Sequence, residues 1–123
     1  MLLKDAKILI GDDSILARKQ LKDVLCSMGA THFIETVNGK ETVEKYISEK
    51  PNVVFLDIIM PIKDGITAVK EIMAADPSAQ IIIVSSVGTQ HQLKCAIEAG
   101  AKDFIQKPIN AEQIKAIVSH KFD

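Results

Sequence analysis

Asp12 and Asp13 stand just after the apolar run Ile8-Leu9-Ile10, and Asp57 directly follows Val53-Val54-Phe55-Leu56. With each run read as a buried strand, the three carboxylates lie at strand C-terminal ends, the edge where open parallel α/β sheets bind ligands. Carboxylates gathered there repel one another unless positive charge intervenes. A hard divalent cation such as Mg2+, which prefers oxygen donors, meets that need. Lys107 follows a third such segment, Phe104-Ile105-Gln106, and can reach the same edge. Together these are the parts of phosphoryl chemistry: a carboxylate nucleophile, and positive charge to neutralise the oxygens of the transferred group.

Short apolar runs alternate with helical patterns along the chain. The runs are Ile8 to Ile10, Phe33 to Val37, Val53 to Leu56, Ile81 to Val84 and Phe104 to Ile105. Most are continuous rather than alternating, as strands covered on both faces are. Between them, apolar residues recur at helical spacing: Leu21, Val24, Leu25 and Met28; Val43, Tyr46 and Ile47; Ile66, Val69, Ile72 and Met73; Leu93 and Ile97; Ile114, Ile117 and Val118. Ser14 and Asn110 can cap helices, Gly29 and Gly100 can close them, and Asn38-Gly39 marks a turn. Gly65 opens a helix after the loop Met60-Pro61-Ile62-Lys63-Asp64. Five βα units with right-handed crossovers make a doubly wound α/β fold, a five-stranded parallel sheet with five helices on two faces. These units are expected to fill residues 1–123 as one domain, the fifth helix running from Ala111 to about His120, with no linker and no output domain.

Composition narrows the function classes. Of the 123 residues, 47% are apolar and none is Trp, so the core should be built from Ile, Val, Leu and Ala. The net charge of −1 gives no electrostatic reason to expect nucleic acid as a partner. No apolar run approaches the ~20 residues of a membrane span, and Met-Leu-Leu-Lys-Asp is not a secretory signal, so no membrane insertion and a cytoplasmic location are expected. Cys26 and Cys95 fall in predicted helices without CxxC spacing and read as reduced, mostly buried thiols. His32, His91 and His120 are scattered over a predicted loop and two helices, with no shared metal site expected.

The set Asp12-Asp13, Asp57-Ile58-Ile59-Met60-Pro61 with Gly65, Ser85, Gly100-Ala101, Phe104 and Lys107-Pro108 resembles the receiver domain of bacterial response regulators, in order and spacing over nearly the whole chain. Within that family, Val84-Ser85-Ser86-Val87-Gly88 and Ala99-Gly100-Ala101-Lys102-Asp103-Phe104-Ile105 look most like the chemotaxis regulators of the CheY type. The resemblance implies the flavodoxin-like strand order 2-1-3-4-5, a cis Lys107-Pro108 bond and a set of roles. Asp57 would be the phosphoacceptor, taking a phosphoryl group from a histidine kinase. Asp13, Asp57 and the backbone carbonyl of Ile59 would hold Mg2+, with Asp12 acting mainly through water. Ser85 and Lys107 would contact the phosphoryl group, and Phe104 would be an aromatic switch. Output would come from a target protein docking on the face made by the fourth helix, fifth strand and fifth helix, with the regulator acting as a monomer.

Three departures from the family pattern stand out. Gly11 replaces a bulky aliphatic residue before the acidic pair and is expected to loosen packing beside the site. Ile109 stands where Phe is common after Lys-Pro, a change expected to be tolerated. Ile59 and Val87, two positions after the phosphoacceptor and the hydroxyl residue, are both apolar and are expected to tune the lifetime of the phosphorylated state. Rival readings weaken at specific residues. A Mg2+-dependent aspartyl phosphatase needs a second acid two residues after its nucleophile, where this chain has Ile59. A flavin carrier needs a phosphate-binding loop and stacking aromatics, against Gly-Asp-Asp-Ser and 4% aromatic residues. A phosphorelay intermediate passing its group to a histidine phosphotransfer protein would share the same site.

Overall fold

The computed structural model describes residues 1–86 and 89–122. After a 3-10 turn at Leu3–Asp5, five strands and five helices alternate: β1 Lys7–Gly11, α1 Ile15–Ser27, β2 His32–Thr36, α2 Gly39–Glu49, β3 Val53–Leu56, α3 Gly65–Ala75, β4 Ile81–Ser85, α4 Gln90–Ala99, β5 Asp103–Gln106 and α5 Ala111–Lys121. All strand pairs are parallel and the order is β2-β1-β3-β4-β5. This is the doubly wound fold the sequence predicts.

The continuous apolar runs are explained by two cores. Successive side chains of a strand point to opposite faces. Leu9, Val54, Leu56, Ile81 and Ile83 join one cluster, with Val43, Tyr46, Val69, Ile72 and Ala96 from α2, α3 and α4. Ile8, Ile10, Val53, Phe55, Ile82, Val84 and Ile105 join the other, with Leu21, Leu25, Ile114 and Val118 from α1 and α5. At about 25 cal/mol per Å2 of apolar surface removed from water, these residues carry the main favourable term of folding. Each helix begins at a side-chain cap: Ser14, Asn38, Asp64, Thr89 and Asn110 all accept from a backbone N–H of the first turn.

The sequence misplaces some details. β2 ends at Thr36, leaving Val37 exposed, and begins at His32, so that histidine lies on a strand rather than in a loop. Cys26 is exposed rather than buried, because it falls on the solvent side of α1 next to the inward-facing Leu25; Cys95 is half-buried, and both thiols are free. The apolar pair of α4, Leu93 and Ile97, is 40% and 45% exposed, and Ala96 alone on that helix is buried. Ile47 likewise faces out from α2.

Candidate functional site

The chemistry-bearing residues sit one backbone hydrogen bond beyond the ends of their strands. The N–H of Asp12 donates to the carbonyl of Thr36 on β2 at 3.0 Å, and that of Asp57 to the carbonyl of Gly11 on β1 at 2.9 Å. The N–H of Lys107 donates to the carbonyl of Ser85 on β4, also at 2.9 Å. The ladder therefore positions the acids and the lysine before any side chain interacts. The Lys107–Pro108 bond is cis, as the resemblance implies.

Side chains complete the arrangement. Lys107 Nζ donates to Asp12 Oδ2 at 2.6 Å and to Asp57 Oδ2 at 3.3 Å. The other oxygen of Asp12 accepts from the Ser14 N–H at 2.9 Å, and Asp57 Oδ1 accepts from the Ile59 N–H at 3.3 Å. Asp12 and Asp57 are buried and Asp13 is exposed, and the three offer carboxylate oxygens within 4.8 Å of one another. Burial pushes the Lys107 ammonium pKa down. The hydrogen bond to Asp12 and the charges of both acids outweigh that effect and hold it above the usual lysine value. One ammonium balances only one of the three carboxylates. An all-oxygen donor set that is half open to water fits Mg2+, which keeps several waters and takes one or two carboxylates.

Gly65 explains how α3 can start beneath the acid. A Cβ there would collide with the carbonyl oxygen of Asp57, and its N–H donates to the Ile58 carbonyl at 2.8 Å. Ser85 is fully buried at the end of β4, in register with Gln106. Phe104 is half-buried on β5 opposite Ile83 and packs against the α2–α3–α4 core. Ile59 is exposed beside Asp57, while Val87 lies outside the described residues.

The expectation that Gly11 loosens the wall is wrong. A Cβ on Gly11 would stand 2.7 Å from Thr42 Oγ1 and 2.8 Å from Leu56 Cδ1, so the space is already filled. The filler is a buried hydroxyl pair, Thr36 and Thr42, 2.7 Å apart. Thr42 spends its one proton on the Asn38 carbonyl at 2.8 Å, so Thr36 is the donor between them. A cavity of about 50 Å3 does open at the site itself, bounded by Gly11, Asp12, Asp57 and Lys107 and reaching toward α1 past Ala17, Leu21 and Ile109. It lies away from the direction a Gly11 Cβ would take, which Thr42 and Leu56 fill. Ile109 in place of a larger ring is consistent with that void.

One positioning residue escapes sequence reading. Arg18 of α1 donates through Nη1 to the backbone carbonyl of Asp12 at 2.6 Å and through Nε to Glu35 at 3.0 Å, bracing the loop that carries both acids. Its only sequence signal is its position one helical turn after the cap Ser14.

Comparisons with known proteins agree with this geometry. Residues 8–119 match the response regulator receiver domain family. The chain is 46% identical over 108 residues to chemotaxis protein CheY of Thermotoga maritima, covering 88% of this chain and 90% of that protein. It has the same identity and coverage with chemotaxis protein CheY of Bacillus subtilis. Among solved structures, a chain of the CheX-CheY-BeF3-Mg2+ complex from Borrelia burgdorferi superposes with a TM-score of 0.89 at 35% identity, covering 94% of this chain and 87% of that one. With an acidic edge built from Asp12, Asp13 and Asp57 and faced by Lys107, this chain belongs to the response regulator receiver domains, and among them it is CheY-like.

Proposed function

We propose that this chain is a cytoplasmic response regulator domain whose Asp57 takes a phosphoryl group from a histidine kinase and whose α4–β5–α5 face then binds a target protein, in a chemotaxis pathway. The observation that carries the reading is the convergence of three carboxylates and Lys107 at the C-terminal edge of β1, β3 and β5. An Asp57 oxygen bonds to the donor's phosphorus as the phosphorus–nitrogen bond breaks, returning its electron pair to the donor imidazole. Asp13, Asp57 and the Ile59 carbonyl would hold Mg2+, with Asp12 acting mainly through water; when bound, the ion would supply positive charge to the phosphoryl oxygens. Lys107 supplies the second positive charge, and Ser85 gives a neutral hydroxyl once Asp57 is modified. The domain promotes its own phosphorylation and hydrolysis without turning over an external substrate.

A protein rather than a free phosphate ester is the natural donor. Ile15 and Leu16, which open α1 just after Asp12 and Asp13, and Ile59 and Ile62, on the β3–α3 connection just after Asp57, are each more than half exposed. Such a rim fits an apolar partner surface that excludes water during transfer. The cytoplasmic location is supported by the similarity to CheY proteins and by the described helices, none of which is long and apolar enough to cross a membrane.

The test is intact mass after incubation with acetyl phosphate, or with a cognate kinase, in Mg2+. The parent protein should gain one phosphoryl group, and Asp57→Asn or added chelator should abolish the gain. An unchanged yield in Asp57→Asn contradicts the assignment.

A further inference from the structure

A second pair of metal-binding atoms lies on α4, away from the acids. His91 Nε2 and Cys95 Sγ are 3.6 Å apart. The two residues are one helical turn apart, so they share a face of the helix. A tetrahedral zinc ion with Zn–S ~2.3 Å and Zn–N ~2.0–2.1 Å holds its sulfur and nitrogen ligands ~3.6 Å from each other. The two side chains touch within hydrogen-bond range for sulfur, and that separation is also the bite of such an ion.

The surroundings suit a bound ion. His91 is exposed and Cys95 is a free, half-buried thiol on an open groove of about 400 Å3 that Lys70, Glu98 and Ala99 also line. Lys70 on the α3 wall disfavours a hard ion held by charge alone. A thiolate–imidazole pair instead holds a borderline-soft ion by covalent donation. We propose that His91 and Cys95 form a bidentate Zn2+ clamp on the exposed flank of α4, with water in the remaining positions. On binding, the Cys95 thiol loses its proton to solvent and its sulfur bonds to the ion. His91 stays neutral, donating its Nε2 lone pair and keeping its proton on Nδ1. The clamp would staple the N-terminal half of a helix that buries only Ala96.

Co2+ is the probe, titrated into reduced protein in excess Mg2+ so that the acidic edge is saturated. The parent should show a near-ultraviolet thiolate-to-cobalt band at one ion per chain, displaced by Zn2+. Cys26→Ser and Asp57→Asn should keep the band. Cys95→Ser should abolish it, and His91→Gln should weaken binding at least as much as loss of an outer-shell partner does, ~10–100-fold. A parent without the band, a band that survives Cys95→Ser or vanishes with Cys26→Ser, or parental affinity in His91→Gln overturns the proposal. One ion per two chains also overturns it, replacing the clamp by an inter-chain bridge.

Discussion

α3 and α4 are neighbours of almost equal length, 11 and 10 residues, yet they are anchored differently. α3 buries Gly65, Ala68, Val69 and Ile72, and its first residue is locked against the Asp57 backbone. α4 buries Ala96 alone and turns Leu93 and Ile97 toward solvent. A helix whose one fully buried side chain is a methyl, with Ala99 only partly buried against the same core, has less packing energy to lose when it shifts than α3 has. The contrast separates a fixed support for Asp57, the proposed phosphoacceptor, from an element whose position can be biased. In the proposed mechanism that bias comes from the phosphoryl group, so it can be no larger than the difference in that group's interactions with the two states.

The largest expected effect breaks the fixed side. Ile72→Ala should cost ~2–5 kcal/mol in denaturant unfolding, the usual range for emptying a fully buried aliphatic site. Ile97→Ala on the loose side should stay within ~1 kcal/mol, as surface substitutions do. Equal losses would erase the distinction between the helices.

The next effect concerns the rim above the fixed side. Ile59 is exposed beside Asp57 and cannot orient a water for attack on the acyl phosphate. Ile59→Asn should speed loss of the phosphoryl group by roughly tenfold or less, since it adds one positioning contact. Decay at the parental rate under fixed Mg2+ and pH would remove Ile59 from the control of lifetime.

Smaller still is the strain stored in the same loop. Ile62 is a β-branched residue at φ 71°, a left-handed conformation that costs an L-residue ~1–2 kcal/mol. Ile62→Gly should therefore stabilise the fold by about 0.5–1 kcal/mol after glycine's own entropy cost. It should also weaken phosphorylation by the kinase more than by acetyl phosphate, because only the kinase meets the rim. Equal losses with both donors would assign Ile62 a purely structural role.

The smallest effect is electrostatic. Burial raises the Glu35 pKa, but hydrogen bonds from Arg18 and Lys22 and their charges outweigh it and hold it below the ordinary glutamate value of 4.5. Between the folded and unfolded values the unfolded chain binds more protons, so the contribution is present above about pH 4.5 and is lost as pH falls through the folded pKa. The pairs are partly exposed, so the effect should stay well under ~1 kcal/mol. Glu35→Gln should flatten the acid limb of the stability curve by that amount; an unchanged limb would mean solvent screens the pairs completely.

The acidic edge is legible in the sequence because each continuous apolar run ends within one residue of its strand's end, and a parallel sheet brings those ends together. Asp12, Asp57 and Lys107 follow from that rule alone. What is not legible depends on neighbours across the sheet. Nothing near Gly11 in sequence announces that Thr36 and Thr42, from β2 and α2, fill the space a side chain would have taken. Arg18 looks like a solvated helix charge until β2 brings Glu35 beside it and the loop turns the Asp12 carbonyl toward it. The exposure of Leu93 and Ile97 reverses what their helical spacing suggests, because Ala96 occupies the inward position. His91 and Cys95 do show i,i+4 spacing in the sequence, but only their rotamers bring sulfur and nitrogen to a shared bite.

The central claim is that chemistry at Asp57 is transmitted to α4 and β5 and not to α3. It is tested most directly by backbone and methyl NMR of the protein with Mg2+, before and after addition of beryllofluoride as a phosphoryl mimic. Shifts should extend from Asp57 and Lys107 through Ser85 to Phe104, Leu93 and Ile97, leave Ala68 and Ile72 nearly unmoved, and be absent in Asp57→Asn. Unmoved signals at Phe104, Leu93 and Ile97 in a protein that binds the mimic at Asp57, or shifts of equal size along α3, would contradict the account.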